Sequence, residues 1–176
     1  IVADLLSELF SPAPLMKPTV VFGFLGTTLD RATGPGRWTK WRPTVAACQQ
    51  PDLVVARLEL LVEPRFAELA ALVVADIRQV SPETEVRIHA PAIRDPWDFQ
   101  EVYGRLYDLV SGYDFQPEAE DYLIHLTTGT HVAQICWFLL TEAQFIPARL
   151  LQTSPAPSQD RNGTAAGRCE IIDLDL

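Results

Sequence analysis

The feature that most constrains the fold is a continuous apolar run, Thr-Val-Val-Phe-Gly-Phe-Leu, at residues 19–25. A run without alternation between polar and apolar residues is typical of a β-strand buried on both faces, as in the centre of a parallel sheet. Three more apolar runs predict strands at residues 53–62, 122–126 and 148–152, and an alternating run predicts one at 84–89. The chain therefore supplies five strands, and the first has the character of a central one.

Helical patterns separate these strands. They predict helices at residues 38–49, 64–77 and 132–145. The last of these has few charged residues, which predicts that most sides of this helix are covered by other parts of the protein. A further helix begins at residues 95–98, with Asp95 as the capping acid and a proline in the first turn. This alternation predicts an α/β fold: a doubly wound, mostly parallel sheet of five or six strands with helices on both faces.

The two ends of the chain depart from this pattern. Residues 1–15 combine leucines at helical spacing with no basic residue, which predicts an N-terminal extension rather than a signal peptide. It is either a docking helix or a poorly ordered tail. Residues 16–154 are the predicted ligand-sensing domain, and 155–169, rich in Pro, Ser, Gly and Ala, are a linker-like segment. The alternating residues 170–176 are either a last strand or the junction to a further domain.

The charge of the chain is unevenly distributed. The 176 residues carry 23 acidic and 14 basic side chains, a net charge of −9, and no apolar run reaches the roughly 18 residues of a membrane span. Phosphate-binding surfaces are usually basic, yet residues 31–42 contain four basic side chains, two tryptophans and no acid. This pattern suits stacked bases and phosphates; the alternative is a solvated loop whose tryptophans fill the core. The possible RNA contacts in this stretch are Arg37, Lys40 and Arg42.

Sequence signals for catalysis or metal binding are absent. The three cysteines are far apart and odd in number, which predicts free thiols in a reducing cytoplasm. His125 and His89 lie in predicted strands and are interpreted as hydrogen-bonded core histidines. The first loop lacks the GxGxxG order, and there is no Walker lysine or GxSxG motif, which disfavours a dinucleotide-dependent enzyme. We therefore expect no catalytic residue, no metal ligand and no cofactor.

The candidate ligand site follows from the common strand order 3-2-1-4-5. In this order ligands bind beyond the carboxyl ends of the first and fourth strands, where the topology switches. The loops after these strands offer glycines, hydroxyls, an imidazole and a helix N-terminus, which suits a phosphate or a ribose phosphate; the alternative is that the threonines simply cap the helix. Arg94, on the same edge, either reaches the cleft or pairs with Asp95. The candidate ligand-binding residues are Gly26, Thr27, Thr28, Thr127, Thr128, Gly129, Thr130 and His131.

Several longer segments carry a family resemblance. They are VFGFLGT at 21–27, WTKWRPT at 38–44, QVSPETE at 79–85, RDPWDF at 94–99 and HLTTGTHVAQICW at 125–137. Through them the chain, from about residue 17 to 154, resembles the N-terminal regulatory domain of RtcR-type transcriptional activators of RNA-repair genes. Residues 170–176 resemble the junction before the ATPase domain of that family.

This resemblance implies a CARF domain, the CRISPR-associated Rossmann fold, which dimerises and senses nucleotides at the carboxyl edge of its sheet. It implies that residues 26–28 and 127–131 are the two ligand motifs. At Thr130 and His131 the chain departs from many CARF domains, which have a second glycine and a lysine there. The implied ligand is an RNA end with a 2′,3′-cyclic phosphate, a tRNA fragment or a cyclic oligoadenylate. The implied partners are a second copy of the chain, as a homodimer, and the AAA+ and helix-turn-helix domains of a longer sigma-54-dependent activator.

Three functional interpretations stay open at this point. The first is a non-enzymatic cytoplasmic domain that senses RNA ends or nucleotides and restrains an attached AAA+ ATPase. The second is a ring nuclease that slowly cleaves cyclic oligoadenylate by orienting a ribose 2′-hydroxyl, assisted by His131 or Thr28. The third is a dimerisation module without a ligand. We expect the first.

Overall fold

The computed structural model describes residues 16–157 and 166–173. The predictions for residues 1–15, 158–165 and 174–176 lie outside the described residues. The strands are β1 (Thr19–Phe24), β2 (Val55–Leu61), β3 (Glu85–His89), β4 (Asp121–His125), β5 (Ala148–Ser154) and β6 (Arg168–Ile172). The α-helices are α1 (Pro43–Ala47), α2 (Ala67–Val80), α3 (Phe99–Ser111) and α4 (His131–Glu142), and short 3-10 helices span Pro35–Thr39 and Pro64–Phe66.

The described strands form one sheet in the order β3-β2-β1-β4-β5-β6. Strands β1 to β5 are parallel, and β6 is antiparallel to β5, so that Arg168 pairs with Ser154 and Ile172 with Leu150. The predicted α/β class and strand order are confirmed, with a sheet of six strands. β6 begins inside the segment predicted to be linker-like. Because β1 lies between β2 and β4, the carboxyl ends of β1 and β4 meet at the switch point of the sheet.

The sheet carries a hydrophobic core on each face. Successive residues of β1 belong to opposite cores: Phe22 lies in the cluster of Leu106 from α3 and Trp137 from α4. Val21 lies in the cluster of Val73 from α2. Both faces of β1 are therefore covered, which explains its continuous apolar sequence. Each fully buried side chain of this size stabilises the fold by roughly 1.5–3 kcal/mol.

The predicted helix at residues 38–49 is wrong. The segment forms the end of the 3-10 helix Pro35–Thr39, an extended link, and the five-residue helix α1. Pro43 is the first residue of α1, and Arg42 before it is extended, with φ −128° and ψ 107°. A proline ring disfavours the helical conformation in the residue before it, so a helix begins at this proline and does not pass through it.

The predicted N-cap of α3 is also wrong. The cap is Asp98, whose side chain accepts a hydrogen bond from the Glu101 N–H at 2.8 Å. Asp95 instead accepts from the Trp97 N–H at 2.9 Å, which forms a turn ahead of the helix. Between the two acids, the Pro96 carbonyl accepts a hydrogen bond from the hydroxyl of Thr130 at 2.9 Å.

Helix α4 is less covered than its composition predicts. Its inner face is buried against the sheet and α3, but Ile135, Phe138 and Leu139 are 49%, 40% and 39% exposed. The expectation of cover on most sides is therefore wrong for the single chain. Although apolar, α4 has 12 residues, and no helix in the described ranges is long and apolar enough to cross a membrane.

Candidate functional site

A pocket of about 320 Å³ lies at the switch point, beyond the carboxyl ends of β1, β2 and β4. The loops after these strands and the loop between β3 and α3 form its walls. Of the eight candidate ligand-binding residues, all but His131 line this pocket. The seven are Gly26, Thr27, Thr28, Thr127, Thr128, Gly129 and Thr130. The prediction that the two loops come together at one edge of the sheet therefore holds, and their binding role stays a prediction.

A buried carboxylate organises the loop after β1. The side chain of Asp30 accepts hydrogen bonds from the Gly26 N–H at 2.8 Å, the Thr44 N–H at 3.1 Å and the Thr44 hydroxyl. Burial raises the pKa of Asp30, and the hydrogen bonds from Thr44 and Gly26 oppose this only in part. A Cβ on Gly26 would lie 2.4 Å from Asp30 Oδ2, so glycine is required here by the carboxylate. Sequence analysis did not single out Asp30, because its partner Thr44 lies 14 residues further along the chain.

Two threonines of the loop after β4 are structural. Thr130 is the N-cap of α4, because its hydroxyl oxygen accepts from the Ala133 N–H at 3.1 Å. The same hydroxyl donates to the Pro96 carbonyl at 2.9 Å. The Thr127 hydroxyl donates to the Thr153 carbonyl at 3.0 Å and accepts from the Thr153 N–H at 2.8 Å. The capping alternative is therefore correct for Thr130, and Thr127 ties the loop to β5.

The middle of this loop has the properties of a ligand contact. Gly129 has φ +90°, a conformation that favours glycine, and a Cβ there would lie 3.2 Å from the ring of Phe24. Thr128 is 2% exposed, and its hydroxyl oxygen has no hydrogen-bond partner among the described residues. A buried polar group without a partner costs about 1–3 kcal/mol. Thr128 thus lines the pocket with a buried hydroxyl that forms no hydrogen bond with the described residues.

The loop between β3 and α3 brings an aromatic side chain that sequence analysis missed. Trp97 lines the pocket and is 60% exposed. Its ring centroid lies 5.1 Å from that of His131, which places His131 at the rim. The hydrogen bond from Thr130 to the Pro96 carbonyl anchors this loop next to the start of α4. Residues 95–98 were interpreted only as a helix start, so the tryptophan's place in the site could not be predicted from local pattern.

The electrostatic character of the pocket is unusual for an anion site. Among the described residues that line it, none is lysine or arginine, and Glu63 is the charged one. The remaining walls are apolar or carry hydroxyls, with Phe24, Leu61 and Ile93 among the apolar side chains. An anion at this site would depend on backbone N–H groups at the α4 N-terminus, where about half a positive charge resides. Glu63 follows β2, and sequence analysis did not single it out.

Two of the cations predicted to contact RNA form a buried clamp instead. Arg42 is 2% exposed and its Nη1 lies 2.6 Å from Asp76 on α2, and Arg37 also pairs with Asp76 at 2.8 Å. Both guanidinium groups lie over the Trp38 ring, at 4.9 Å and 5.4 Å from its centroid. Burial raises the pKa of Asp76, but the hydrogen bonds from Arg37 and Arg42 outweigh it and hold the pKa below its usual range. The acid that neutralises this loop comes from a distant helix, so the local charge pattern was misleading.

The other two candidate cations are accessible. Lys40 is exposed, in the extended link before α1. Arg94 is 89% exposed and pairs with Glu101 at 3.3 Å, so the expected pairing with Asp95 is wrong. The Glu101 carboxylate also accepts from the backbone N–H of Arg94 and Asp95 at 2.8 Å and 3.3 Å, which fixes the turn before Trp97.

The histidines and cysteines outside the pocket are structural. His125 is buried with Nε2 2.8 Å from the Thr153 hydroxyl, and burial lowers its pKa to about 4. His89 is partly buried, with Nε2 2.6 Å from Glu59, so it is hydrogen-bonded but not a core residue. Cys48 and Cys136 are buried free thiols, and burial raises the pKa of Cys48 to about 12. Within the described residues no group of three or more His, Cys, Asp or Glu side chains is placed to hold a metal ion.

A doubly wound sheet with a pocket between the β1 and β4 loops defines a Rossmann-like domain. The structure of Enterococcus italicus Csm6 bound to cyclic hexa-2'-fluoro-hexa-dAMP matches it with a TM-score of 0.66 at 14% sequence identity. The match covers 90% of this chain and 43% of that chain. At this identity the likeness concerns the fold.

The chain belongs to the RtcR family. The family model described as RtcR, regulator of RNA terminal phosphate cyclase, matches residues 17–176. The transcriptional regulatory protein RtcR of Escherichia coli (strain K12) is 57% identical over 162 residues, which cover 92% of this chain. The chain spans 30% of the length of that relative. The family resemblance found in the sequence segments is therefore confirmed.

Proposed function

We propose that this chain is the ligand-sensing regulatory domain of a sigma-54-dependent transcriptional activator of RNA-repair genes. Its ligand is an RNA end carrying a 2′,3′-cyclic phosphate, as in a tRNA fragment, or a cyclic oligoadenylate. The observation that carries this proposal is the pocket at the switch point, which places two loops rich in glycine and hydroxyls beside the N-terminus of α4. The names of the family and of the E. coli relative support the connection to RNA ends and transcription.

In this proposal the phosphate lies at the start of α4, because the first N–H groups of a helix have no partner within it. Thr128 and Gly129 contact it on one wall, and Thr27 and Thr28 contact the ribose from the other. His131 acts at the rim, beside Trp97. Lys40 and Arg94, both exposed, extend the surface for a longer RNA. Arg42 is not retained as a contact because it is buried, and Arg37 because it is held by Asp76.

The sensor is proposed to act as a homodimer that controls an attached AAA+ ATPase. The exposed face of α4, formed by Ile135, Phe138 and Leu139, supports a dimer, because contiguous apolar surface is usually covered by a partner. Residues 16–154 together with β6 form the sensor. The AAA+ and helix-turn-helix domains belong to the longer chain, and no catalytic residue is proposed in this one.

Native mass spectrometry of the domain with a panel of oligonucleotides tests this function. The panel holds one RNA sequence ending in a 2′,3′-cyclic phosphate, a 3′-phosphate or a free diol, and cyclic oligoadenylates of four and six nucleotides. We expect a dimer that retains the cyclic-phosphate RNA or a cyclic oligoadenylate in preference to the diol. After incubation without metal we expect the cyclic ligand to keep its elution time in reversed-phase chromatography, which is read beside its mass because attack of a 2′-hydroxyl on the ring opens it without changing the mass. Equal retention of the whole panel, or of none, contradicts the proposal, and a linear product indicates a ring nuclease.

A further inference from the structure

The carboxylate of Glu63 restricts which part of a nucleotide can enter the pocket. This carboxylate lies on the pocket wall after β2, and no lysine or arginine among the described residues lines the pocket with it. An anion in the pocket is repelled by this carboxylate, whose ion pair lies at the surface, and the repulsion grows as water is excluded. The interior of the pocket is therefore a poor place for a phosphate, whose favourable position is the rim at the start of α4.

The ion pair of Glu63 with Arg65 leaves part of the carboxylate available. Arg65 lies 2.8 Å from Oε2, but its side chain is 65% exposed and lies over the Phe66 ring at 4.9 Å. An ion pair at the surface contributes little and is easily rearranged. No hydrogen bond from a described residue engages Oε1. A ligand group that donates a hydrogen bond can therefore reach Glu63 without first breaking a buried contact.

The other walls suit a flat aromatic ring. Phe24, Leu61, Ile93 and Val102 are apolar, and the exposed indole of Trp97 stands at the opening. Stacking on an aromatic side chain stabilises any nucleobase, since every base has a π face. The volume of about 320 Å³ is at the lower end of the roughly 300–1,000 Å³ usual for small-molecule pockets, so it holds one nucleotide and not several.

We propose that the pocket takes the base of the terminal nucleotide, and that Glu63 selects bases with an exocyclic amino group. This rests on the proposed function, in which an RNA end is the ligand. In a 2′,3′-cyclic phosphate both ribose hydroxyls are esterified, so the terminal sugar has no hydroxyl to donate to the carboxylate at these positions. The amino group of cytosine, adenine or guanine can donate, whereas the corresponding O4 of uracil can only accept and meets the carboxylate unfavourably.

Two matched pairs of ligands isolate this contact. Short RNAs of one sequence, all ending in a 2′,3′-cyclic phosphate, differ only in the last base: cytosine against uracil, and adenine against hypoxanthine. Each pair exchanges an amino group for a carbonyl and also protonates the adjacent ring nitrogen, so adenine against purine, which removes the amino group alone, is measured as the control. Affinities are measured by calorimetry or fluorescence anisotropy on the dimeric domain. We expect the amino base to bind at least about tenfold more tightly in each pair, since hydrogen bonds to a charged group are the stronger ones.

Glu63→Gln is the informative variant, because an amide both donates and accepts. We expect it to bind cytosine and uracil ends within about threefold of each other. Glu68→Gln, on the exposed first turn of α2 and outside the pocket lining, is the control for the lost negative charge and keeps the tenfold preference. Equal affinities in the unmodified protein overturn the inference and leave the proposed function standing. A preference that survives in Glu63→Gln overturns the role of Glu63. Failure of every RNA to bind overturns the inference together with an RNA end as the ligand, and leaves only the cyclic oligoadenylate of the proposed function.

Discussion

Thr130 and Pro96, 34 residues apart in the chain, are joined by a hydrogen bond of 2.9 Å from the threonine hydroxyl to the proline carbonyl. The same hydroxyl caps α4 through the Ala133 N–H. One side chain therefore fixes both the start of the helix and the loop that carries Trp97. The two walls of the pocket are coupled through this residue.

Replacing Thr130 tests that coupling. Thr130→Ala removes the cap and the anchor of the Pro96 loop, so we expect a loss of about 1–2 kcal/mol in unfolding free energy by urea denaturation. Thr130→Ser keeps the hydroxyl and should retain most of the stability. We also expect weaker RNA binding in Thr130→Ala alone, because the Trp97 loop is released. Equal stability of the two variants would show that the hydroxyl is not a significant cap.

The tryptophan at the pocket opening should affect binding without affecting folding. Trp97→Ala is expected to weaken binding of the RNA end by about 1–3 kcal/mol, the usual contribution of one stacked base. Its effect on stability should stay within about 0.5 kcal/mol because the side chain is mostly exposed. Trp97→Phe, which keeps an aromatic face, should recover part of the affinity. Unchanged affinity in Trp97→Ala would remove this residue from the site.

A buried and an exposed cation in residues 31–42 predict opposite phenotypes when they are replaced. Arg42→Gln leaves Asp76 buried with only one arginine partner, so we expect about 3 kcal/mol lower stability in denaturant unfolding. Lys40→Gln should leave stability unchanged and weaken RNA binding, with a smaller dependence of affinity on salt. If Lys40→Gln leaves the affinity and its salt dependence unchanged, this loop does not contact RNA.

The buried carboxylate of Glu59 predicts a specific acid sensitivity. Burial raises its pKa, but hydrogen bonds from His89, Tyr113 and Arg57 outweigh it and lower the pKa to about 2. A lowered pKa in the folded state means stability that is present above the ordinary value of 4.5 and lost as pH falls toward 2. The unfolding free energy of the unmodified protein should therefore fall by up to about 3 kcal/mol across this window.

Glu59→Gln is the test of this titration. It should be less stable than the unmodified protein at neutral pH and show a flatter profile, so that the two curves converge toward pH 2. The exposed Glu68→Gln should reproduce the unmodified profile. Parallel curves for Glu59→Gln and the unmodified protein would contradict the assignment.

The apolar face of α4 predicts the oligomeric state. Phe138→Glu places a charge in the centre of this face, so we expect it to convert the proposed dimer to a monomer in analytical ultracentrifugation. Ala75→Glu, on the exposed side of α2 at the opposite face of the sheet, is the matched control and should stay dimeric. A Phe138→Glu protein that sediments as a dimer would move the interface elsewhere.

Much of the fold was predictable because it depends on local pattern. The continuous apolar run of β1 indicates burial on both faces. The order of strands and helices along the chain then leaves only a small number of possible topologies. The failure at residues 38–49 was avoidable in principle, since the restriction that Pro43 places on Arg42 is a local effect.

The site was predictable only where its residues follow strands β1 and β4. Glu63 and Trp97 enter it through the geometry of neighbouring loops, and nothing in their sequence surroundings distinguishes them. The prediction that Arg42 contacts RNA failed for the same reason, because its partner Asp76 lies 34 residues further along the chain. Contacts of this kind depend on tertiary packing, which cannot be inferred from the periodicity and spacing of residues in the sequence.

The antiparallel direction of β6 has a consequence for signal transmission. β5 runs toward the pocket edge and β6 runs back, so Ile172 ends beside Leu150 at the opposite edge of the sheet. The five residues of β6 place Ile172 about 13 Å from Arg168 along the strand. Any segment that continues from Ile172 therefore starts remote from the ligand. Under the proposed function, a signal from the pocket reaches the start of such a segment through the sheet, through the helices or across subunits, because Ile172 does not line the pocket.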